Sequence, residues 1–167
     1  MGLFDFVKDA GAKMFGGAKE QPANTVQTRE PSAADIERVQ ERNAASRLVK
    51  MVLGLGLDVE NLSIKVDDGV ATVNGKVASQ AIKEKIVLAV GNTQGIGRVD
   101  DQLEIENPEP AATFYTVKSG DSLSKIAKQH YGNAMKYPVI FEANKPMLKD
   151  PDKIYPGQVL RVPPLED

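Results

Sequence analysis

The side chains with the clearest chemical potential gather around residue 122. Gly120-Asp121-Ser122-Leu123 spells a motif of one class of serine esterases, and Ser122-Leu123-Ser124-Lys125 has the Ser-x-x-Lys spacing of penicillin-binding enzymes. A nucleophilic serine needs a base, normally histidine, held in turn by a third group. The sequence has one histidine, His130. It falls about two turns along the helix expected to begin at Asp121 or Ser122, directed down that axis rather than back at the serine. The Ser-Asp-Asn and Lys-Thr-Gly companions of Ser-x-x-Lys are missing, and 167 residues are too few for that fold. Gly91 to Gly97 is rich in glycine but follows a helix and precedes a strand, the reverse of a dinucleotide-binding turn. Gly69 to Lys76 lacks phosphate-loop spacing. Tyr131 and Tyr137 could stack on bases, but 21 basic against 23 acidic residues give no positive field for nucleic acid. Cysteine is absent, which removes disulfides, thiolate metal sites and thiol nucleophiles. These residues point to a binding protein rather than an enzyme.

Location follows from the first residues. In MGLFDFVKDAGAKMFGG the charges of Asp5, Lys8, Asp9 and Lys13 interrupt what a secretory signal would need as an unbroken apolar stretch. Phe6 stands where myristoylation requires Ser or Thr. The expectation is a cytoplasmic monomer without a transmembrane segment.

The elements that must position any site read as an α+β arrangement. Leu3, Phe4, Phe6, Val7, Ala10, Met14 and Phe15 recur at three- and four-residue spacing, predicting an amphipathic helix over residues 1–17. Residues 18–34 read as a linker. A longer helix, capped by Ser32 or Asp35, runs to about Leu53 with Ile36, Val39, Leu48, Val49 and Val52 inward. Leu62, Ile64 and Val66 alternate into a strand, Asp67-Asp68-Gly69 turns the chain, and Val70 to Val73 returns it. Ser79 opens a helix carrying Ala81, Ile82, Ile86, Val87 and Val90, which Gly91-Asn92 closes, and Val99 to Ile105 is the last strand. That makes an αββαβ unit over 35–107. Prolines mark a linker over 108–113. A βααβ unit over 114–163 follows: Tyr115 to Val117, a helix to about Tyr131, a helix from Pro138 to Asn144, and Gln158 to Val162.

The second unit resembles a LysM domain. The likeness rests on Tyr115-Thr116-Val117-Lys118-Ser119-Gly120-Asp121-Ser122-Leu123, then Ile126-Ala127, Tyr131-Gly132-Asn133, Ile140, Asn144 and Ile154-Tyr155-Pro156-Gly157-Gln158-Val159-Leu160. The first unit resembles a BON domain through Asn61-Leu62, Asp68-Gly69, Thr72-Val73-Asn74-Gly75 and Val99-Asp100-Asp101. With the MGLFDFVKDAG start, the whole chain is similar to bacterial cytoplasmic potassium-binding proteins built from one BON and one LysM domain. It departs from them after Gly16 and over Met51 to Asp58.

Two kinds of ligand follow from these resemblances. LysM domains bind N-acetylglucosamine glycans such as peptidoglycan. Carried over, that groove is Gly120, Asp121, Ser122 and Leu123 facing Ile154, Tyr155 and Pro156. The whole-chain resemblance implies potassium instead, with the chain as ion sensor or buffer. Neutral carbonyl cages suit potassium, and helix ends and glycine loops leave carbonyls available. The expected cage is the main-chain oxygens of Val7, Ala10, Ala12, Gly91, Thr93 and Ile96, with ion binding coupled to packing of one module on the other. A third reading is a structural stress adaptor whose BON unit meets proteins or phospholipid surfaces.

Overall fold

Ser32 opens the first long element with reciprocal bonds. Its hydroxyl accepts from the Asp35 N–H at 3.2 Å, and the Asp35 carboxylate accepts from the Ser32 N–H at 3.1 Å. The resulting helix α1 (Ala33–Gly54) buries Leu48 and Val52, while its first eight residues are exposed. Residues 2–6 and 30–165 are described by the computed structural model. Strands β2 (Glu60–Asp67) and β3 (Val70–Ser79) form an antiparallel hairpin. At its turn Asp68 (φ 46°) and Gly69 (φ 74°) are both left-handed, the requirement of a two-residue turn that matches strand twist. Helix α2 (Gln80–Gly91), capped by the Ser79 hydroxyl, crosses over to β4 (Arg98–Asn107), which pairs with β3 in parallel. Alternation places Ile64, Val66, Ala71, Val73, Val77, Val99 and Leu103 inward, against α1 and α2.

The N-terminal residues correct the expected helix. Gly2–Asp5 is a strand, β1, antiparallel to β4 with Leu3 opposite Asp100 and Phe4 opposite Val99. The sheet order is therefore β1-β4-β3-β2. The physical reason is the unpaired outer edge of β4, whose N–H and C=O groups need partners. Over these residues a period of two also fits: Gly2, Phe4 and Phe6 are half-buried while Leu3 and Asp5 are exposed. Residues 7–17 of the expected helix, and 18–29 of the linker, lie outside the described residues.

The second unit keeps the expected order of elements and adds one. Strand β5 (Thr113–Thr116) pairs antiparallel with β6 (Val159–Val162). Between them lie α3 (Leu123–Tyr131), a 3-10 turn (Ala134–Lys136) that the sequence did not suggest, and α4 (Tyr137–Ala143). Val117, Leu123, Ile126, Ala127, Ile140, Leu148, Leu160 and Val162 form the core.

The two units meet over α2. Residues Ile86 to Gly91 are buried without a break, because one face (Ile86, Val87, Val90) lies on the sheet and another (Leu88, Ala89) packs with Met147 and Val159 of the second unit. Such all-round burial is what an unbroken apolar run on a helix signals.

Candidate functional site

The end of α2 concentrates the features a cation would use. The last four carbonyls of a helix have no intrahelical partner, and here three find others. Asn92 N–H donates to the Leu88 oxygen at 2.9 Å, the Thr93 hydroxyl to Ala89 at 2.9 Å, and Thr93 N–H to Val90 at 3.1 Å. The fourth, Gly91, accepts no backbone hydrogen bond among the described residues. The same holds for Ile96, whereas the Thr93 oxygen accepts from Ile96 N–H at 3.2 Å and keeps a second lone pair. The negative end of the helix dipole adds to these oxygens.

Burial sharpens the site. Gly91 is buried, Ile96 is 3% exposed and Thr93 is half-buried. Strand β1 ends here: Phe6 N–H donates to the Gly97 oxygen at 2.9 Å, and Gly97 N–H donates to Gly69 at 2.9 Å. The Phe6 ring covers Gly91 so closely that a Cβ there would stand 2.1 Å from the ring. Of the six expected ligands, Gly91, Thr93 and Ile96 share this one loop. Val7, Ala10 and Ala12 lie outside the described residues. Among the described residues no group of three His, Asp or Glu is placed to hold a metal ion.

The expected glycan groove is largely committed to holding its own fold. The Asp121 carboxylate accepts from the Tyr115 hydroxyl at 2.8 Å and from Lys118 N–H at 2.9 Å. The bond from Lys118, then that from Tyr115, hold its pKa below the usual carboxylate value. The Ser122 hydroxyl accepts from Lys125 N–H at 3.3 Å as the helix cap, and Lys125 Nζ donates to Gly120 O at 2.8 Å. Leu123 is core. Ile154 packs beside it half-buried, Tyr155 is buried with its phenol pushed up to about 12, and Pro156 is exposed. His130 sets its ring edge-on to Tyr115 at 5.4 Å, so the esterase-like motif is a helix cap beside an aromatic pair.

Sequence reasoning missed what joins this loop to the second unit. The Asn92 side chain donates to the Val159 oxygen and accepts from the Val159 N–H, both at 2.9 Å. Nearby, Glu84 and Arg161 form an ion pair with side-chain exposures of 5% and 12%. Glu84 also accepts from Gln80 Nε2 at 2.7 Å and Ala112 N–H at 2.9 Å. The unbroken run Ile86 to Gly91 carried a signal for the packing face. Asn92 carried none, since Gly-Asn after a helix reads as its end.

Family models agree with the two resemblances: a BON domain matches residues 41–107 and a LysM domain residues 115–163. The chain is 50% identical over 163 residues, 98% of its own length and 99% of the relative's, to potassium binding protein Kbp of Escherichia coli O6:H1 (strain CFT073). A shorter match of 51 residues, 55% identical, links 30% of the chain to 19% of an uncharacterized protein of Deinococcus radiodurans. Near-complete coverage with both domain models in the same order makes the assignment plain: this chain belongs to the family of two-module BON–LysM proteins that includes potassium binding protein Kbp.

Proposed function

We propose that this chain binds potassium through main-chain oxygens of Val7, Ala10, Ala12, Gly91, Thr93 and Ile96, and serves as a cytoplasmic potassium sensor or buffer. The observation that carries the reading is the Gly91 carbonyl, the one of the last four α2 oxygens with neither a backbone nor a side-chain donor among the described residues. Support also comes from Phe6, which immediately precedes Val7 and is bonded to Gly97 and packed on Gly91. Neutral carbonyls around a large monovalent ion fit potassium, whereas calcium and magnesium favour carboxylates or retained water. The relative's name supplies the ion.

Calorimetric titration of the full chain with potassium, and with sodium at equal ionic strength, tests this. The expected result is saturable uptake of potassium alone, and a melting temperature that rises with potassium by mass action. Thr93→Val should bind within about twofold of the parent, since the hydroxyl serves Ala89 rather than the ion and the ligand is backbone. No saturable potassium binding overturns the reading.

A further inference from the structure

The sheet of the first unit ends on β1, and that edge is open. Among the described residues β1 has β4 as its one neighbour. In an antiparallel pair, residues that exchange hydrogen bonds alternate with residues that do not. Phe6 N–H reaches the Gly97 oxygen, and Phe4 lies opposite Val99 and Gly2 opposite Asp101. The even-numbered residues therefore bond to β4, and Leu3 and Asp5 turn their N–H and C=O groups outward. Such an edge is a template for one more strand.

Beside the edge lies a cleft of about 350 Å³, bounded by β1, α2 and the segment leading into β5. Phe4 and Phe114, their ring centroids 5.2 Å apart, form its aromatic wall. Gln80, Lys83, Glu84 and Asp101 form its polar wall. Gly2 has no side chain to stand beside Asp101, its partner across the sheet. Side chains in one cross-strand row share a face. A residue added opposite Gly2 would extend the row of Gly2 and Asp101 and point into the cleft.

The walls select the chemistry of that residue. Two carboxylates line the cleft against one ammonium. Lys83 already bonds to Asp101 and to the Leu103 oxygen, both at 3.0 Å. Gln80 gives its amide N–H to Glu84 at 2.7 Å, while its Oε1 accepts no hydrogen bond among the described residues. An arginine meets all of this. Its stem lies on the phenyl rings, its flat guanidinium is attracted by their faces, and an N–H reaches Gln80 Oε1. A carboxylate in the same place would face Glu84 and Asp101.

We infer that the β1 edge binds an extended, arginine-bearing segment of a partner protein by strand addition. Main-chain bonds to Leu3 and Asp5 supply affinity, and the cleft supplies the choice of side chain. The site stands apart from the end of α2 and needs no ion.

The probe is an end-blocked pentapeptide of alternating threonine and valine with arginine at its centre, titrated into the full chain. Amide hydrogen exchange is followed residue by residue. Saturable binding is expected, with exchange slowed at Leu3 and Asp5 and unchanged at Phe4, which β4 already protects. A glutamate at the centre should weaken binding about tenfold or more. Leu3→Pro removes an outward N–H from an edge strand, where proline is tolerated, and should weaken binding about fivefold or more. Gln80→Lys, at the first turn of α2, sets a fixed cation in the cleft and should do the same; it covers the case in which Leu3→Pro loosens β1. No saturable binding of the arginine peptide up to about 1 mM overturns the inference. So does equal binding of the arginine and glutamate peptides, or binding that leaves exchange at Leu3 and Asp5 unaltered.

Discussion

The two modules close their sheets in different ways. In the first, the outer edge of β4 is covered by β1 from the start of the chain, main chain against main chain over four residues. In the second, the outer edge of β6 is met at two points by Asn92 and Asn144. A strand closes an edge by repetition and needs little from its side chains. An asparagine closes it locally and can be lent by another module. Both closures end at one place, because β1 delivers Phe6 to Gly91 and Asn92 follows Gly91 directly.

Breaking the junction should have the largest effect. Glu84→Ala leaves the Arg161 guanidinium buried without its partner and should cost about 3–5 kcal/mol, read by urea unfolding. A loss below about 1 kcal/mol would mean that the pair is worth no more than an exposed one. Asn144→Ala comes next. It strips Arg161 of both bonds and the Ile140 carbonyl of a donor. We expect about 2–3 kcal/mol from these unmet groups, with Arg161 amide exchange rising; equal exchange in parent and variant would remove Asn144 from the comparison.

The strand closure is tested at Gly91. Gly91→Ala drives a methyl into Phe6, costing about 1–3 kcal/mol by overpacking. Faster exchange across Gly2–Asp5 and weaker potassium uptake should accompany it; an undisturbed β1 would show that the ring gives way freely. Ser122→Ala should lower stability by about 1 kcal/mol through the lost cap, visible as a small drop in melting temperature.

Smallest is the pH effect at Asp121. Its folded pKa is depressed by Lys118 and Tyr115, so its contribution is present above the ordinary value of about 3.9 and fades as pH falls through the lower folded value. Asp121→Asn should flatten that part of an acid unfolding curve; an unaltered curve would assign the acid sensitivity elsewhere.

Much of the architecture was legible because it is local. Ser32 or Asp35, Ser79, and Asp121 or Ser122 announced three helices by capping, and Ser32, Ser79 and Ser122 make the bonds; Asp68-Gly69 announced the hairpin by its left-handed turn. Gly2–Asp5 misled because Leu3 and Phe6 fit helical spacing while Phe4 and Phe6 fit a period of two over so few residues, and only the distant edge of β4 decides between them. Of the proposed site, the end of α2 was readable as a helix terminus followed by a glycine-bearing loop, whereas the choice of Gly91, Thr93 and Ile96 as ligands came with the family resemblance. What Asn92 and Glu84 do was not readable, because their partners at Val159 and Arg161 come from another module and no local pattern encodes them.

The doubly buried α2 also has a consequence in time. Asn92 and Val159 are 67 residues apart in the chain. During synthesis, at about 5–20 residues per second, the first module emerges and folds several seconds before its cover exists. Over that interval Leu88 and Ala89 present an apolar strip to the cell, and Glu84 lacks the arginine it will later hold. The nascent protein therefore passes through a stage with this face open, until Met147 and Val159 of the second module cover it.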